Sequence, residues 1–286
     1  MRYRTFGRLG WQVSEIGFGG WAIGGDWGKV EDSEALATLH EALDSGINFI
    51  DTAQGYGDGH SEELIGRVLA ERGSGAGRVY VATKIPPAGK LWWVDPDFDD
   101  IGQFYPPAYL RERVELSLKR LGTEAVDLMQ LHTWTAGFNQ HDEWYETLES
   151  LRREGKLHGF GISASEKRPG DVVPSVEAGR LDSVQVIYNL FEQRTARSVL
   201  EPCGRHHTAA IVRVPLDEGS LTGKFSEKTT FAKGDFRRHF FRGNNLKATL
   251  RRVGEIKRFK DEHYPGLSLV ELALLFCKSH PDASTV

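Results

Sequence analysis

With 286 residues, 36 Lys and Arg against 40 Asp and Glu and a net charge of −4, the chain can bury a substantial core and lacks the basic excess that recruits nucleic acid or membrane surfaces. No apolar run reaches the about 18 residues of a membrane span, and the polar start Met1-Arg2-Tyr3-Arg4-Thr5-Phe6 does not read as a signal peptide. Two separated cysteines, Cys203 and Cys277, argue against a disulfide framework or zinc site and fit a reducing cytoplasm.

Two short apolar/polar alternations around Gly7-Arg8-Leu9-Gly10 predict a β-hairpin over residues 2–13. Ile16-Gly17-Phe18-Gly19-Gly20-Trp21 predicts a buried strand running into a Gly-rich turn. A helix capped by Asp32 or Ser33 follows, with Ala35, Leu39 and Leu43 as its apolar stripe and Gly46 where a helix end favours positive φ. Phe49 and Ile50 predict a short strand ending on Asp51, and Tyr56 comes next in a turn bracketed by Gly55 and Gly57. The second helix starts at Ser61, where Glu62 and Glu63 complement its dipole.

Strands over residues 79–84 and 126–132 end on Lys84 and His132, so three strands each deliver an ionisable side chain at the same end. Between them lies an irregular segment, 85–106, of a length that is usually functional or mobile. Its Trp92, Trp93, Phe98 and Tyr105, together with Trp134, either wall a hydrophobic substrate pocket or pack the loop. Helices over 107–121 and 142–154 and strands over 157–163, 182–189 and 209–215 continue the pattern. Ser268 and Glu271 form a capping box that opens an apolar helix, and residues 283–286 read as a strand barely begun.

About eight alternations of near-continuous apolar strands with helices require parallel strands covered by helices. Polar groups at the ends of most strands favour a (β/α)8 barrel over a doubly wound open sheet, because a barrel places its active site at the C-terminal ends of its strands. The expected organisation is one α/β domain over residues 1–286, a TIM barrel with an N-terminal hairpin and without its last helix.

An ordinary tyrosine has a pKa of about 10. Lys84 beside Tyr56 is expected to lower it, Asp51 to keep Lys84 charged and aimed, and His132 to hydrogen-bond a substrate oxygen. Singly, each residue reads as structural. Together at one barrel mouth they suit an acid that gives a proton to oxygen while a hydride arrives at carbon.

Residues 46–57, Gly-Ile-Asn-Phe-Ile-Asp-Thr-Ala-Gln-Gly-Tyr-Gly, and 61–66, Ser-Glu-Glu-Leu-Ile-Gly, resemble the first signature of the aldo-keto reductase family. Ala-Thr-Lys at 82–84, Asp-Leu-Met-Gln-Leu-His at 127–132 and the Pro-Leu-x-x-Gly-x-Leu-Thr-Gly-Lys block at 215–224 match further family blocks in the same order. The resemblance implies a barrel that binds NADP(H) without a Rossmann domain and a catalytic tetrad of Asp51, Tyr56 as proton donor, Lys84 and His132. It places Ser163 and Gln185 on the nicotinamide amide, with Ala164 where the family usually has Asn. Arg213 stands where many members have an aromatic ring that stacks on the nicotinamide. Asp51, Gly20 and Trp21 border the ring, Pro215, Leu216, Gly219, Leu221, Gly223 and Lys224 lie along the pyrophosphate, and the substrate side is given to Trp21, Trp92 and Trp134. The family segment that reads the adenosine 2′-phosphate follows the last residue here, so the choice of NADP over NAD is not legible.

Two look-alikes are set aside. Residues 219–224 have too few intervening residues for a phosphate-binding P-loop, and Gly17-x-Gly19-Gly20 lacks the glycine spacing of a dinucleotide fingerprint. The favoured function is NADPH-dependent reduction of an aldehyde or ketone by a cytoplasmic monomer or small homo-oligomer, with no nucleic-acid or membrane partner and no metal. The alternative is a nucleotide-binding regulatory subunit with little turnover, like potassium-channel β subunits. A Schiff-base aldolase using Lys84 is a weaker third reading, because pairing with Asp51 keeps the amine protonated.

Overall fold

The computed structural model describes residues 1–73, 75, 77–91, 95 and 97–286. β1 (Tyr3–Phe6) and β2 (Trp11–Ser14) form the expected antiparallel hairpin. Its turn starts at Gly7, φ +47°, where a Cβ would lie 2.5 Å from the Ala209 nitrogen, so only glycine lets the hairpin seat. Phe6 and Val13 reach into the cylinder and pack with Phe49, Ala82, Leu128, Ala209 and Ile211, closing its N-terminal end.

The repeating units follow: β3 (Phe18–Gly19), α1 (Asp32–Asp44), β4 (Phe49–Asp51), α2 (His60–Arg72), β5 (Tyr80–Ile85), α3 (Pro107–Leu121), β6 (Val126–Leu131), α4 (Glu143–Arg153) and β7 (Leu157–Ser163). The second half comprises α5 (Val173–Glu177), β8 (Ser183–Ile187), α6 (Glu201–Arg205), β9 (Ala209–Arg213), α7 (Arg237–Phe240), α8 (Asn245–His263), α9 (Leu269–Ser279) and β10 (Ala283–Thr285). β3 to β10 lie side by side in chain order, every pair parallel. The two edges meet through Gly17 N–H to Val286 O at 2.8 Å and Val286 N–H to Glu15 O at 3.1 Å, which closes the barrel. The main apolar core fills the layer between strands and helices, with Leu39, Ile65, Val114, Leu148 and Val176 facing Ile50, Val81, Met129, Phe160 and Val184. No helix among the described residues is long and apolar enough to cross a membrane.

Several local expectations need correction. α1 begins at Asp32 with Glu31 at the N-cap, and no side chain caps it. α2 begins at His60, one residue early. Glu62 and Glu63 lie in its first turn as expected, and Glu62 has a further role. It is fully buried and accepts hydrogen bonds from Thr83 Oγ1 (2.6 Å), Ser117 Oγ (2.7 Å) and Arg120 Nη1 (3.4 Å), tying α2 to β5 and α3.

Trp134 does not wall a pocket. It is 1% exposed and packs edge-on against Trp144 at 5.0 Å and Phe138 at 5.4 Å, so the chain after β6 turns the indole into the core. Phe98 and Tyr105 join that packing, the first on Phe104 and the second by exchanging hydrogen bonds with the Thr133 backbone. Trp92 and Trp93 lie outside the described residues.

Candidate active site

β4, β5 and β6 end side by side, and strand alternation decides which side chains enter the barrel. Ala82 and Leu128 face the interior cluster, so Lys84, two residues after Ala82, and His132, four after Leu128, point the same way at the open end. Asp51 is the last residue of β4. Tyr56 sits in the following turn, whose Gly57 and Asp58 take left-handed φ of 59° and 55°.

Lys84 is fully buried, and its ammonium donates to three acceptors: Asp51 Oδ2 at 2.7 Å, the Thr52 carbonyl at 2.8 Å and the Tyr56 hydroxyl at 3.4 Å. A buried cation is tolerated only with this degree of pairing and donor saturation. The other Asp51 oxygen accepts from Gln185 Nε2 at 2.8 Å, and Ser163 Oγ donates to Gln185 Oε1 at 3.4 Å. One hydrogen-bonded chain therefore runs from Ser163 through Gln185, Asp51 and Lys84 to the phenol. The His132 ring stands edge-on to Tyr56 at 6.0 Å between centroids, and the Trp21 indole stacks on its other side at 5.9 Å.

Burial pushes the Tyr56 pKa above its ordinary 10, with the Lys84 cation as the main opposing influence. Lys84 acts on the phenol in the expected downward direction, but desolvation of the phenolate outweighs its attraction, so the net shift is upward. His132 is held well below its ordinary value by burial, reinforced by the positive charges of Lys84 and Arg213, so its imidazole is neutral.

Ser163 and Gln185 pair in register at the ends of β7 and β8. Arg213 ends β9, donates to the Ala164 carbonyl and meets Glu166, both at 3.4 Å, and its buried Nε has no hydrogen-bond partner. An orphaned donor on a planar cation beside the Ser163 hydroxyl and Gln185 amide fits the carboxamide and ring of a nicotinamide.

The next residue, Val214, has φ 58°, an outlier for a β-branched side chain, and Asn189 Nδ2 holds its carbonyl at 2.9 Å. Pro215 and Leu216 lead into three successive left-handed residues, Asp217, Glu218 and Gly219. The N–H groups of Gly219, Leu221 and Gly223 bond to carbonyls within the loop, and the Leu221 side chain packs with Val253, Leu269 and Ala273. Leu221 thus shapes the loop from inside, while Gly219 is partly exposed and Gly223 and Lys224 are exposed. Gly20 is likewise buried: its N–H bonds to the Asp51 carbonyl at 2.7 Å, and a Cβ would sit 2.7 Å from Ser61 Oγ.

Three residues of this mouth escape sequence reading. Asp26 accepts from Trp21 Nε1, Glu166 pairs with Arg213, and Glu218 is buried beside Arg213 with its carboxyl pushed up by burial to about 7. No periodicity marks any of them, since all lie in irregular loops.

A model of the Aldo/keto reductase family matches residues 15–286. The chain is 34% identical to the aldo-keto reductase YhdN of Bacillus subtilis, a likeness covering 99% of this chain and 83% of that protein. It is 29% identical to a probable voltage-gated potassium channel subunit beta of Oryza sativa, covering 100% and 86%. A glycerol dehydrogenase structure from Gluconobacter oxydans superposes with a TM-score of 0.79 at 32% identity, covering 99% of this chain and 85% of that one. The barrel, the strand-end site and these likenesses agree: the chain belongs to the aldo/keto reductase family.

Proposed function

We propose that the protein reduces an aldehyde or ketone to an alcohol with NADPH, Tyr56 giving the proton. The observation that carries this reading is the Lys84 ammonium, which holds Asp51 on one side and the Tyr56 hydroxyl on the other. The nicotinamide supplies the hydride when bound. Ser163, Gln185 and Arg213 would hold its carboxamide and ring, and Lys224 the phosphates. Neutral His132 orients the carbonyl oxygen as a hydrogen-bond partner without adding charge, and Tyr56 then passes its proton to that oxygen as the carbon is reduced. Lys84 stabilises the phenolate that remains, and Asp51 keeps the ammonium aimed.

The cofactor preference belongs to the same proposal. An aldo-keto reductase of Schizosaccharomyces pombe is named for NADP(+) and an Escherichia coli relative as an NADH-specific methylglyoxal reductase, so both cofactors need testing. The assay is carbonyl-dependent oxidation of NADPH and of NADH over a panel of small aldehydes and ketones. Tyr56→Phe should lower kcat by roughly 10²–10⁴-fold with cofactor affinity intact. Tight NADPH binding with no turnover on any carbonyl would replace this reading by the regulatory one.

A further inference from the structure

On the reductase reading, we propose that Asp26 is a positioning residue: one carboxylate oxygen ties the Trp21 indole to the Tyr56–Gly57 turn and thereby holds the phenol toward Lys84. Asp26 Oδ2 accepts from Trp21 Nε1 at 3.0 Å and from the Gly57 N–H at 3.3 Å. Gly57 directly follows Tyr56, and the turn continues in left-handed geometry through Asp58 at φ 55°, a conformation that glycine and aspartate adopt more readily than other residues. The position of such a turn is set by its surroundings, and here three contacts set it.

The first contact is the Asp26 bond itself. The second is backbone apposition: a Cβ on Gly57 would stand 2.2 Å from the Gly24 oxygen, and one on Gly24 would stand 2.8 Å from the Tyr56 carbonyl carbon. The third is the Trp21 ring, which stacks on Tyr56 and is flanked by Trp27 at 5.5 Å and Phe236 at 5.3 Å. Asp26 lies between Gly25 and Gly28, both at positive φ, in a segment with little intrinsic stiffness. Its carboxylate is the side-chain group that bonds this loop to both the indole and the turn. Two N–H donors converge on one acceptor oxygen, so the requirement is an oxygen in that place, not a charge.

The test compares Asp26→Ala with Asp26→Asn in the full chain, measuring kcat, KM, the pH profile of kcat and the crystal structure of each. Asp26→Ala should lose about 10–100-fold in kcat, in line with a displacement of the donor by about 1 Å, and should shift the alkaline limb set by Tyr56. Asp26→Asn, which keeps the oxygen, should restore both. Asp26→Ser, whose oxygen cannot reach both donors, takes the place of Ala if the latter does not fold. Wild-type kcat and pH profile in Asp26→Ala, or an Asn variant as impaired as Ala, would overturn the proposal. Lack of turnover in the wild-type protein overturns the reductase reading instead. The clamp is then judged on the Asp26→Ala structure, where retention of the 3.4 Å Tyr56–Lys84 separation would refute it.

Discussion

Replacing Lys84 with Met separates the structural and chemical duties of the ammonium. Lys84 is fully buried and bonds Asp51 at 2.7 Å, while the Asp51 side chain is 20% exposed. Deleting the cation leaves that carboxylate with Gln185 Nε2 as its side-chain donor. Breaking a buried ion pair from one side costs about 3–5 kcal/mol, and the partial exposure of Asp51 places this case near the lower figure, about 3 kcal/mol. Asp51→Asn in the Lys84→Met background removes the stranded charge but keeps an acceptor for Gln185, so about 2 kcal/mol should return. Activity should not return with it, because Tyr56 has then lost the main cation that opposes its burial, and both variants should fall by roughly 10²–10⁴-fold in kcat. Urea denaturation and steady-state kinetics on the two single variants and the double variant read both quantities. Recovery of kcat along with stability in the double variant would refute the chemical role given to the ammonium.

Glu218→Gln should stabilise the protein at alkaline pH. The folded pKa of about 7 exceeds the ordinary 4.5, so this carboxyl favours folding below pH 4.5 and loses that contribution as pH rises to about 7. Above neutrality the glutamine variant should gain up to about 3 kcal/mol over wild type, with no gain at pH 4, and equal denaturation midpoints at pH 8 would refute it. Gly161→Ala should cost at least about 2–3 kcal/mol in urea denaturation. A Cβ there would stand 2.1 Å from Ser183 Oγ and 2.3 Å from its carbonyl oxygen, and an unchanged midpoint would contradict that packing.

What sequence reading recovered, and what it missed, follows from the range of the signals. Apolar runs that stop at Asp51, Lys84 and His132 locate strand ends, and a barrel gathers strand ends into one mouth. α3 and β7 match their predicted bounds, α3 because Pro107 and Gly122 bracket it and β7 because its sequence runs from Leu157 to a polar end at Ser163. The Gln185–Asp51 bond joins residues 134 apart, and no local pattern encodes it. Glu62 looked like a residue placed for the helix dipole, since acidity near a helix start is the same letter whether the carboxylate faces water or Thr83 and Ser117. Trp134 was ambiguous for a similar reason: two residues past a strand, an indole turns into the substrate mouth or back into the core, and loop geometry decides.

Tyr56 shows the limit most clearly. Lys84 as a neighbour could be inferred, but the depth of burial could not, and burial decides the sign of the pKa shift. On the reductase reading the raised value does not oppose function. A proton donor must be loaded before it is acidic, and desolvation keeps the phenol protonated throughout the physiological range. Its acidity matters only against the oxygen it protonates, which becomes alkoxide-like as the hydride arrives and is then more basic than a phenolate. Lys84 acts at that moment: it has little to do while the phenol is neutral, and its attraction is realised as negative charge appears on Tyr56 in a buried, weakly screened setting. Burial and the ammonium therefore pull the resting pKa in opposite directions yet serve successive stages of one proton transfer, and the reverse reaction, which needs the phenolate as base, is the one that burial holds back at neutral pH.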